Sequence, residues 1–312
     1  MKMNQAWKKQ GISIRPGTVI TGKWHQHRYV IRRKLGHGAV GTVYLCERNG
    51  HYAALKVSEN ATSMTMEVNV LKSLDKVQGS RLGPSLLDVD DWEVSQHRKY
   101  SFYVMEFLQG GSLSRFIGRH GHEWVGILML QLLDDLEQLH RAGWVFGDFK
   151  PDNLIVISQP PKVRWIDVGG TTQIGRSIKE YTEFYDRGYW GLGSRRAEPG
   201  YDLFALVMVF LNIYYPKRFE KGSNPKATLM KKLHDVRQLR VYQDTLKKAL
   251  LGHYRTSADM RQDVVNAINR QRTRGRSDSR TRHTTLSQAP FKEGGGILLT
   301  ALVYYLSSLL LP

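Results

Sequence analysis

The chain has 312 residues and contains a single cysteine, Cys46. No intrachain disulfide can form, which suits a reducing compartment. The first residues lack the apolar core of a secretory signal peptide, so we expect none. Because no C-x-x-C or H-x-x-x-H spacing occurs among the cysteine and the eleven histidines, we expect no protein-ligated zinc site and assign His140 a structural role.

Acidic residues are scarce in three parts of this chain, whose formal net charge is +18. Residues 1–46 contain nine Lys or Arg and no acid, residues 217–249 contain ten against three, and residues 270–293 contain seven against two. The remainder is slightly acidic. This concentration of charge predicts surfaces for a polyanion, either DNA or anionic lipid, and solvated basic faces are the alternative.

Two groups of cations define the predicted basic surfaces outside the C-terminal region. The N-terminal group comprises Lys8, Lys9, Lys23, Arg28, Arg32, Arg33 and Lys34. The second group comprises Lys231, Lys232, Arg237, Arg240, Lys247 and Lys248. Leu229, Leu233, Val236 and Leu239 recur at helical spacing among the second group, which predicts an amphipathic stretch.

Long hydrophobic runs are absent except at the C-terminus. Residues 271–293 are rich in Arg, Ser and Thr, which predicts a basic disordered linker. Residues 294–312 carry no charge, and a spanning helix needs ~20 apolar residues. We therefore expect a transmembrane tail anchor there, with the rest of the chain on the cytoplasmic face of the cell membrane. The alternative is a hydrophobic helix that docks on this chain or on a partner.

The most informative motif is Val145-Phe146-Gly147-Asp148-Phe149-Lys150-Pro151-Asp152-Asn153. It places an acid, a base two residues later and an amide three residues further on within one loop. Phosphoryl transfer needs a carboxylate to orient and deprotonate a hydroxyl, a cation to neutralise phosphate charge and oxygen ligands for Mg²⁺.

A glycine-rich loop lies upstream in the run Gly36-His37-Gly38-Ala39-Val40-Gly41-Thr42-Val43. A Rossmann loop would match the same glycines but must open a helix. The β-branched and aromatic residues that follow predict a strand instead. Glycines between two strands let backbone N–H groups approach phosphates closely.

Two further segments carry charges where apolar residues would be expected. Lys56 lies in the apolar strand Ala53-Ala54-Leu55-Lys56-Val57 and needs a partner there. Glu67, eleven residues later on a predicted helix, is the candidate partner. Asp167 lies nineteen residues after Asp148, in Arg164-Trp165-Ile166-Asp167-Val168-Gly169, and adds an oxygen ligand of the kind Mg²⁺ prefers.

In this order the motifs resemble those of the Hanks-type serine/threonine kinases of bacteria, which usually read H-R-D-x-x-x-x-N at the catalytic loop and D-F-G at the metal site. The resemblance covers residues 29 to 270. It implies an α+β, bilobal protein-kinase fold, with a β-rich N-lobe over residues 29–105, a helical C-lobe over residues 109–270 and a basic lead-in over residues 1–28.

The resemblance also implies roles for individual residues, with ATP and Mg²⁺ as cofactors and proteins as substrates. Asp148, Lys150 and Asn153 would be catalytic, Asn153 and Asp167 would hold Mg²⁺, and Thr182 would position the acceptor. Met105 would be the gatekeeper, Asp202 would brace the catalytic loop, and Arg255 would anchor the C-lobe. The expected ATP-binding residues are Gly36, His37, Gly38, Ala39, Val40, Gly41, Val43, Lys56, Glu67, Glu106 and Leu108. Candidate autophosphorylation sites are Thr171, Thr172 and Ser177.

The sequence departs from the family pattern at three places. Phe146-Gly147 replaces the usual His-Arg, so no arginine is present to bind an activation-loop phosphate. Val168 replaces the D-F-G phenylalanine. The A-P-E positions align with Arg187-Gly188-Tyr189, which leaves Arg255 without its expected glutamate.

Two other functions compete with a protein kinase. Small-molecule phosphotransferases of the aminoglycoside or choline kinase type also place a glycine before the catalytic aspartate, as Gly147-Asp148 does here. A non-catalytic, polyanion-binding scaffold with a kinase fold is the third hypothesis.

Overall fold

The computed structural model describes residues 12–38, 40–75, 82–95 and 98–281. The chain divides into two compact units. The first unit comprises residues 1–110 and 152–171, and the second comprises residues 111–151 and 172–312. The first unit therefore includes residues 152–171, which come after residues 111–151 of the second unit in the chain. The sequence predicted two lobes that were each continuous in the chain.

A six-stranded antiparallel sheet in the order β1-β2-β3-β4-β6-β5 dominates the first unit. Its strands are β1 (Val19–Thr21), β2 (Arg28–His37), β3 (Thr42–Arg48), β4 (His51–Ser58), β5 (Leu86–Ser95) and β6 (Arg98–Glu106). Asn49 and Gly50, both with positive φ, form the two-residue turn between β3 and β4, and such a turn matches the twist of a hairpin. Strand β1 lies inside the segment predicted as a lead-in, so the fold begins before residue 29.

Two elements complete the first unit. Helix α1 (Ala61–Asp75) begins after Asn60, whose side chain accepts a hydrogen bond from the Ser63 N–H at 3.0 Å. Such a side-chain cap satisfies a donor that the first helical turn leaves free. Strands β8 (Leu154–Ser158) and β9 (Pro161–Trp165) form a separate antiparallel pair.

The returning segment packs closely against the end of β6. A Cβ at Gly110 would lie 2.6 Å from the Val156 carbonyl oxygen, so only glycine fits. Arg164 on β9 donates to Glu106 at 3.0 Å and to the Gly83 carbonyl at 2.9 Å. These contacts explain why residues 152–171 belong to the first unit although they follow the catalytic loop in sequence.

Helices form most of the second unit. They are α2 (Leu113–His120), α3 (Trp124–Arg141), α4 (Pro199–Tyr214), α5 (Pro225–Asp235), α6 (Gln243–Leu250) and α7 (Ser257–Thr281). In this unit, 3₁₀ turns occur at Glu183–Tyr185 and Arg237–Tyr242, and β7 (Trp144–Val145) pairs with β10 (Thr172–Gln173). A further 3₁₀ turn, Pro151–Asn153, spans the point in the chain where the second unit gives way to the first.

Burial in the second unit follows the sequence pattern. Every residue of α4 from Tyr201 to Leu211 is buried, and Pro199 occupies the first turn, where its missing N–H costs nothing. The four apolar residues predicted between the lysines of α5 and α6 are all buried, at Leu229, Leu233, Val236 and Leu239. The basic stretch is therefore amphipathic, although it is two helices joined by a 3₁₀ turn.

The C-terminal predictions fall partly on described residues. Helix α7 continues to Thr281, eleven residues into the segment expected to be a linker. Residues 282–293 and the predicted anchor at 294–312 lie outside the described residues. Within the described part of the chain, no helix has both the length and the apolar character needed to cross a membrane.

Candidate active site

The glycine-rich loop is the hairpin connection between β2 and β3, as its flanks predicted. The Gly38 N–H donates to the Gly41 carbonyl at 2.9 Å. A Cβ at Gly41 would lie 2.4 Å from the Val57 carbonyl oxygen, so the backbone could not approach β4 so closely with any other residue. His37 Nδ1 lies 3.0 Å from the Thr42 hydroxyl. Ala39 lies outside the described residues.

Lys56 and Glu67 form a buried ion pair in the first unit. Lys56 Nζ lies 2.9 Å from Glu67 Oε1 and 2.8 Å from Oε2, and the side chains are only 4% and 3% exposed. Asp167 Oδ1 is the next carboxylate, 3.8 Å from the same nitrogen. Only Glu59 and Asn60 separate β4 from α1, which gives the tight connection that the short spacing required.

Burial raises the pKa of Glu67 above its ordinary value, because desolvation outweighs the stabilising charge of Lys56. Asp167 raises this pKa further. Tyr103 on β6 donates its hydroxyl to Glu67 Oε2 at 2.9 Å. Burial and the charge of Glu67 hold the pKa of Tyr103 well above its ordinary value, so the tyrosine stays a neutral donor.

Asp167 and Asn153, the predicted oxygen ligands of Mg²⁺, both belong to the first unit. The Asp167 side chain is 45% exposed, and its Oδ1 accepts a hydrogen bond from the Gly169 N–H at 2.9 Å. A Cβ at Gly169 would lie 2.7 Å from Glu67 Oε1, so a larger residue there would displace the Glu67 carboxylate. Asn153 is buried, and its backbone carbonyl accepts a hydrogen bond from the Ile166 N–H at 3.0 Å. An accessible carboxylate and an amide suit a hard cation such as Mg²⁺.

Val168, which stands where the family has phenylalanine, is 3% exposed. A Cβ at Gly83 would lie 3.2 Å from Val168 Cγ1 and 3.7 Å from Leu71 of α1. The backbone at Gly83 therefore comes close enough to pack against the smaller valine. Sequence patterns did not identify this glycine, because it precedes β5 and belongs to no motif.

The expected hinge follows β6. Met105 is buried, whereas Glu106 and Leu108 are partly exposed. The Glu106 N–H donates to the Ser85 carbonyl at 2.9 Å, and the Glu106 carboxylate accepts from Arg164. The side chain of Glu106 thus has a structural role, and any contact with adenine falls to backbone groups of this segment.

The three residues expected to act on the substrate hydroxyl, Asp148, Lys150 and Thr182, contact one another in the second unit. Thr182 donates its hydroxyl to Asp148 Oδ1 at 3.1 Å. Lys150 Nζ donates to Asp148 Oδ2 and lies 3.5 Å from the Thr182 hydroxyl. Residues 34 positions apart in sequence thereby converge on one carboxylate.

Asp202 holds the start of the catalytic loop. It accepts from the backbone N–H groups of Phe146 at 2.8 Å and Gly147 at 3.0 Å. Buried His140 lies 2.9 Å from Asp202 through Nε2 and 3.0 Å from the Ser257 hydroxyl through Nδ1. Gly147 has φ +80°, a left-handed conformation that the arginine usual at this position would adopt only with strain.

Sequence patterns assigned no contacts to three residues between Thr182 and α4, namely Asp186, Arg187 and Glu198. Asp186 is 1% exposed and accepts from the N–H groups of Gly188 and Tyr189, the Tyr201 hydroxyl and Arg195. Buried Arg187 pairs with Glu198. Arg255, which the A-P-E alignment left without a glutamate and which was expected to anchor the C-lobe, is exposed. An Ala-Glu-Pro order at residues 197–199, before the buried helix, was the available signal.

The candidate phosphorylation sites differ in exposure. Thr171 and Thr172 are 2% and 0% exposed, whereas Ser177 is exposed. A kinase could modify the two threonines only after this segment opened.

A protein kinase domain model matches residues 29–283. The chain therefore belongs to the protein kinase family. It is 48% identical over 266 residues to the serine/threonine-protein kinase YabT of Bacillus subtilis, an alignment that spans 85% of this chain and 79% of that protein. This likeness puts the chain on the serine/threonine branch of the family and confirms the predicted enzyme class.

Two more distant proteins agree. The sporulation protein kinase mde3 of Schizosaccharomyces pombe is 30% identical over 44% of this chain and 26% of that protein. The structure of vaccinia related kinase 3 matches with a TM-score of 0.62 at 18% identity, over 84% of this chain and 93% of that one. The second likeness confirms the predicted kinase fold.

Proposed function

We propose that this kinase transfers the γ-phosphoryl group of ATP, with Mg²⁺, to serine or threonine hydroxyls of protein substrates. The observation that carries the proposal is the contact of Thr182 with both Asp148 and Lys150. A small-molecule phosphotransferase has no evident use for a threonine that reaches the catalytic aspartate from a separate segment.

On the acceptor side, Asp148 orients the substrate hydroxyl and takes its proton as the oxygen bonds to phosphorus and ADP leaves. Lys150 neutralises charge that develops on the transferred group. Thr182 fixes the rotamers of both side chains. Asp202 keeps the preceding backbone in place through Phe146 and Gly147.

On the nucleotide side, Lys56 would bind the α- and β-phosphates of ATP, and Glu67 would hold its ammonium in position. Asp167 and Asn153 would hold the metal, and the glycine-rich loop would cover the phosphates. When bound, Mg²⁺–ATP supplies the phosphoryl group and neutralises its negative charge. The half-exposed carboxylate of Asp167 and the amide of Asn153 fit this cation.

The variants Thr182→Val and Thr182→Ser test the proposal. We expect Thr182→Val to lower kcat toward a casein-like protein by about tenfold to a hundredfold, in line with a lost positioning contact, and Thr182→Ser to retain most of the rate. Asp148→Asn should abolish transfer to protein. Phosphorylation of amino-sugars by the wild type, without phosphorylation of protein, would favour the small-molecule phosphotransferase instead.

We further propose that a polyanion such as DNA stimulates the enzyme. Exposed cations of the second unit support this idea, namely Lys226, Lys231, Arg237, Arg240 and Lys248. Binding to phosphates without base readout would depend steeply on salt and little on sequence. Assays of the full chain with duplex DNA, with anionic vesicles and with neutral vesicles separate nucleic acid from lipid. Equal activity in all arms would contradict stimulation.

We also propose that residues 294–312 attach the enzyme to the membrane, with the kinase domain on the cytoplasmic side. Support comes from the sequence alone, since this uncharged segment follows a basic one. Flotation with liposomes should carry the full chain but not a chain that ends at residue 293. Equal flotation of both would contradict an anchor.

A further inference from the structure

Two histidines and an aspartate converge where the turn between β1 and β2 contacts β5. His25 and His27 lie in the turn between β1 and β2, and Asp88 lies on β5. His25 Nδ1 is 2.7 Å from Asp88 Oδ1, and His27 Nδ1 is 2.8 Å from Asp88 Oδ2. The three ligand atoms all lie within 4.8 Å of one another.

The turn is built so that both imidazoles face the same carboxylate. Gln26, between the histidines, has φ +56°, which a residue with a Cβ seldom adopts. Asp90 holds this turn by accepting from the N–H groups of Trp24 at 2.9 Å and His25 at 2.8 Å. A Cβ at Gly22 would lie 2.2 Å from Asp90 Oδ2, so the close approach also requires glycine.

Asp88 is prepared to act as an anionic ligand. Its side chain is 4% exposed, and the Tyr29 hydroxyl donates to it at 2.6 Å. An oriented carboxylate with its own hydrogen-bond donor is typical of metal ligands.

We propose that His25, His27 and Asp88 form a binding site for a late first-row divalent cation, with Zn²⁺ as the physiological candidate. Imidazole nitrogen suits Zn²⁺, Co²⁺ and Ni²⁺, whereas Mg²⁺ and Ca²⁺ prefer oxygen alone. Ligands at ~2.0 Å around a tetrahedral ion lie roughly 3.3 Å apart. The imidazoles need to retreat by roughly half an ångström, which their exposure of 53% and 37% permits.

Three protein ligands leave one position of a tetrahedral ion for water. The site belongs to the first unit and uses none of the residues assigned to ATP or Mg²⁺. Its ligands are two residues apart and then 61 residues apart, a spacing that no C-x-x-C or H-x-x-x-H pattern detects. The expectation that the chain has no zinc site rested on those patterns alone.

Bound metal would tie β1 and β2 to β5, which lie at opposite ends of the strand order. It would therefore stabilise the folded first unit. A ligand that binds only the folded state raises the melting temperature as its concentration rises above the dissociation constant.

The test is a titration of the full chain, without a polyhistidine tag or nucleotide, with Co²⁺ and then Zn²⁺. We expect one site that gives the visible absorption of Co²⁺ bound through nitrogen and oxygen, and that Zn²⁺ displaces. His25→Gln and His27→Gln should each weaken this binding by about tenfold or more. The matched control is His51→Gln, which replaces an exposed histidine of the same sheet and should leave binding unchanged.

Two further readouts distinguish this site from the Mg²⁺ ligands and from a loss of folding. Asp167→Asn should retain the Co²⁺ spectrum, because the proposed site does not include the Mg²⁺ ligands. Far-UV circular dichroism and kinase activity with Mg²⁺–ATP should show that His25→Gln and His27→Gln are folded. Absence of a Co²⁺ spectrum in the wild type, or equal binding by folded His25→Gln and wild type, would overturn the proposal.

Discussion

At the scale of single residues, the buried ionisable groups of the first unit depend on one another for hydrogen bonds and charge. Lys56, Glu67 and Tyr103 form one buried chain of contacts. Lys56 and Glu67 could be predicted from sequence because a lysine in an apolar strand requires a partner. Tyr103 could not, because an aromatic residue in a strand gives no sign of which carboxylate its hydroxyl will meet.

Glu67 should leave a signature in the pH dependence of stability. Its folded-state pKa is raised from an ordinary value of 4.5, so the folded protein binds more protons than the unfolded protein between the two values. The free energy of unfolding contributed by Glu67 therefore falls as pH rises through this window.

Urea unfolding across a pH series measures this effect. The difference in unfolding free energy between wild type and Glu67→Gln should shrink as pH rises above 4.5. Exposed Glu59 provides the control, since Glu59→Gln should show no such trend. A difference that grows with pH would mean that Lys56 outweighs burial.

Asp202 offers a second test at this scale. In Asp202→Asn, the amide can no longer accept from both the Phe146 and the Gly147 N–H groups. An unsatisfied buried donor costs about 1–3 kcal/mol, so we expect unfolding free energy to fall by that amount. We expect kcat to fall more than the KM for ATP changes. Exposed Asp235→Asn is the control, and an equal effect from both changes would contradict a bracing role.

At the scale of elements, sequence patterns identified strands and helices better than their boundaries. Strand β1 was missed because three residues among basic neighbours show no alternation to detect. Helix α7 extends past residue 270 although its last turns carry no apolar period. The return of residues 152–171 to the first unit depends on close backbone contact at Gly110, which no local pattern encodes.

The segment from Thr182 to Glu198 shows how one buried side chain can organise an irregular element. Asp186 accepts four hydrogen bonds from separate residues. Asp186→Ala would leave the Gly188 and Tyr189 N–H groups without their acceptor. We expect a loss of about 2–3 kcal/mol in unfolding free energy and faster proteolysis within this segment.

Limited proteolysis with mass spectrometry and urea unfolding check this prediction together. Glu183→Ala replaces an exposed acid in the same segment and should change neither. If Asp186→Ala kept the wild-type unfolding free energy and cleavage rate, the hydrogen bonds of Asp186 would not stabilise this segment.

At the scale of the whole molecule, the uneven charge is the property most readily predicted from sequence. Composition located the basic block at residues 217–249, and the structure buries its leucines and Val236 and leaves most of its cations exposed. The identity of the bound anion does not follow from charge, since phosphates of DNA and of lipid attract the same side chains.

Salt dependence can count these contacts. For duplex DNA, the slope of log affinity against log salt is negative, and its magnitude falls by about 0.9 for each phosphate contact removed. We expect the triple change Lys231→Gln, Arg237→Gln and Arg240→Gln to lower the magnitude of the slope by roughly 2–3. The control is a triple change of equal charge at other exposed cations, namely Arg98→Gln, Arg119→Gln and Arg141→Gln. Equal slopes for both triples would show that charge acts without a defined surface.

The turn from Gly22 to His27 bears on how the enzyme can be shortened. A chain cut at residue 29, where the family model begins, would keep every catalytic motif. It would nevertheless remove hydrogen-bond partners from two buried carboxylates. Asp88 would lose both imidazoles, and Asp90 would lose the N–H groups of Trp24 and His25. The smallest fragment that folds well should therefore start upstream of β1, at a point that no catalytic motif marks.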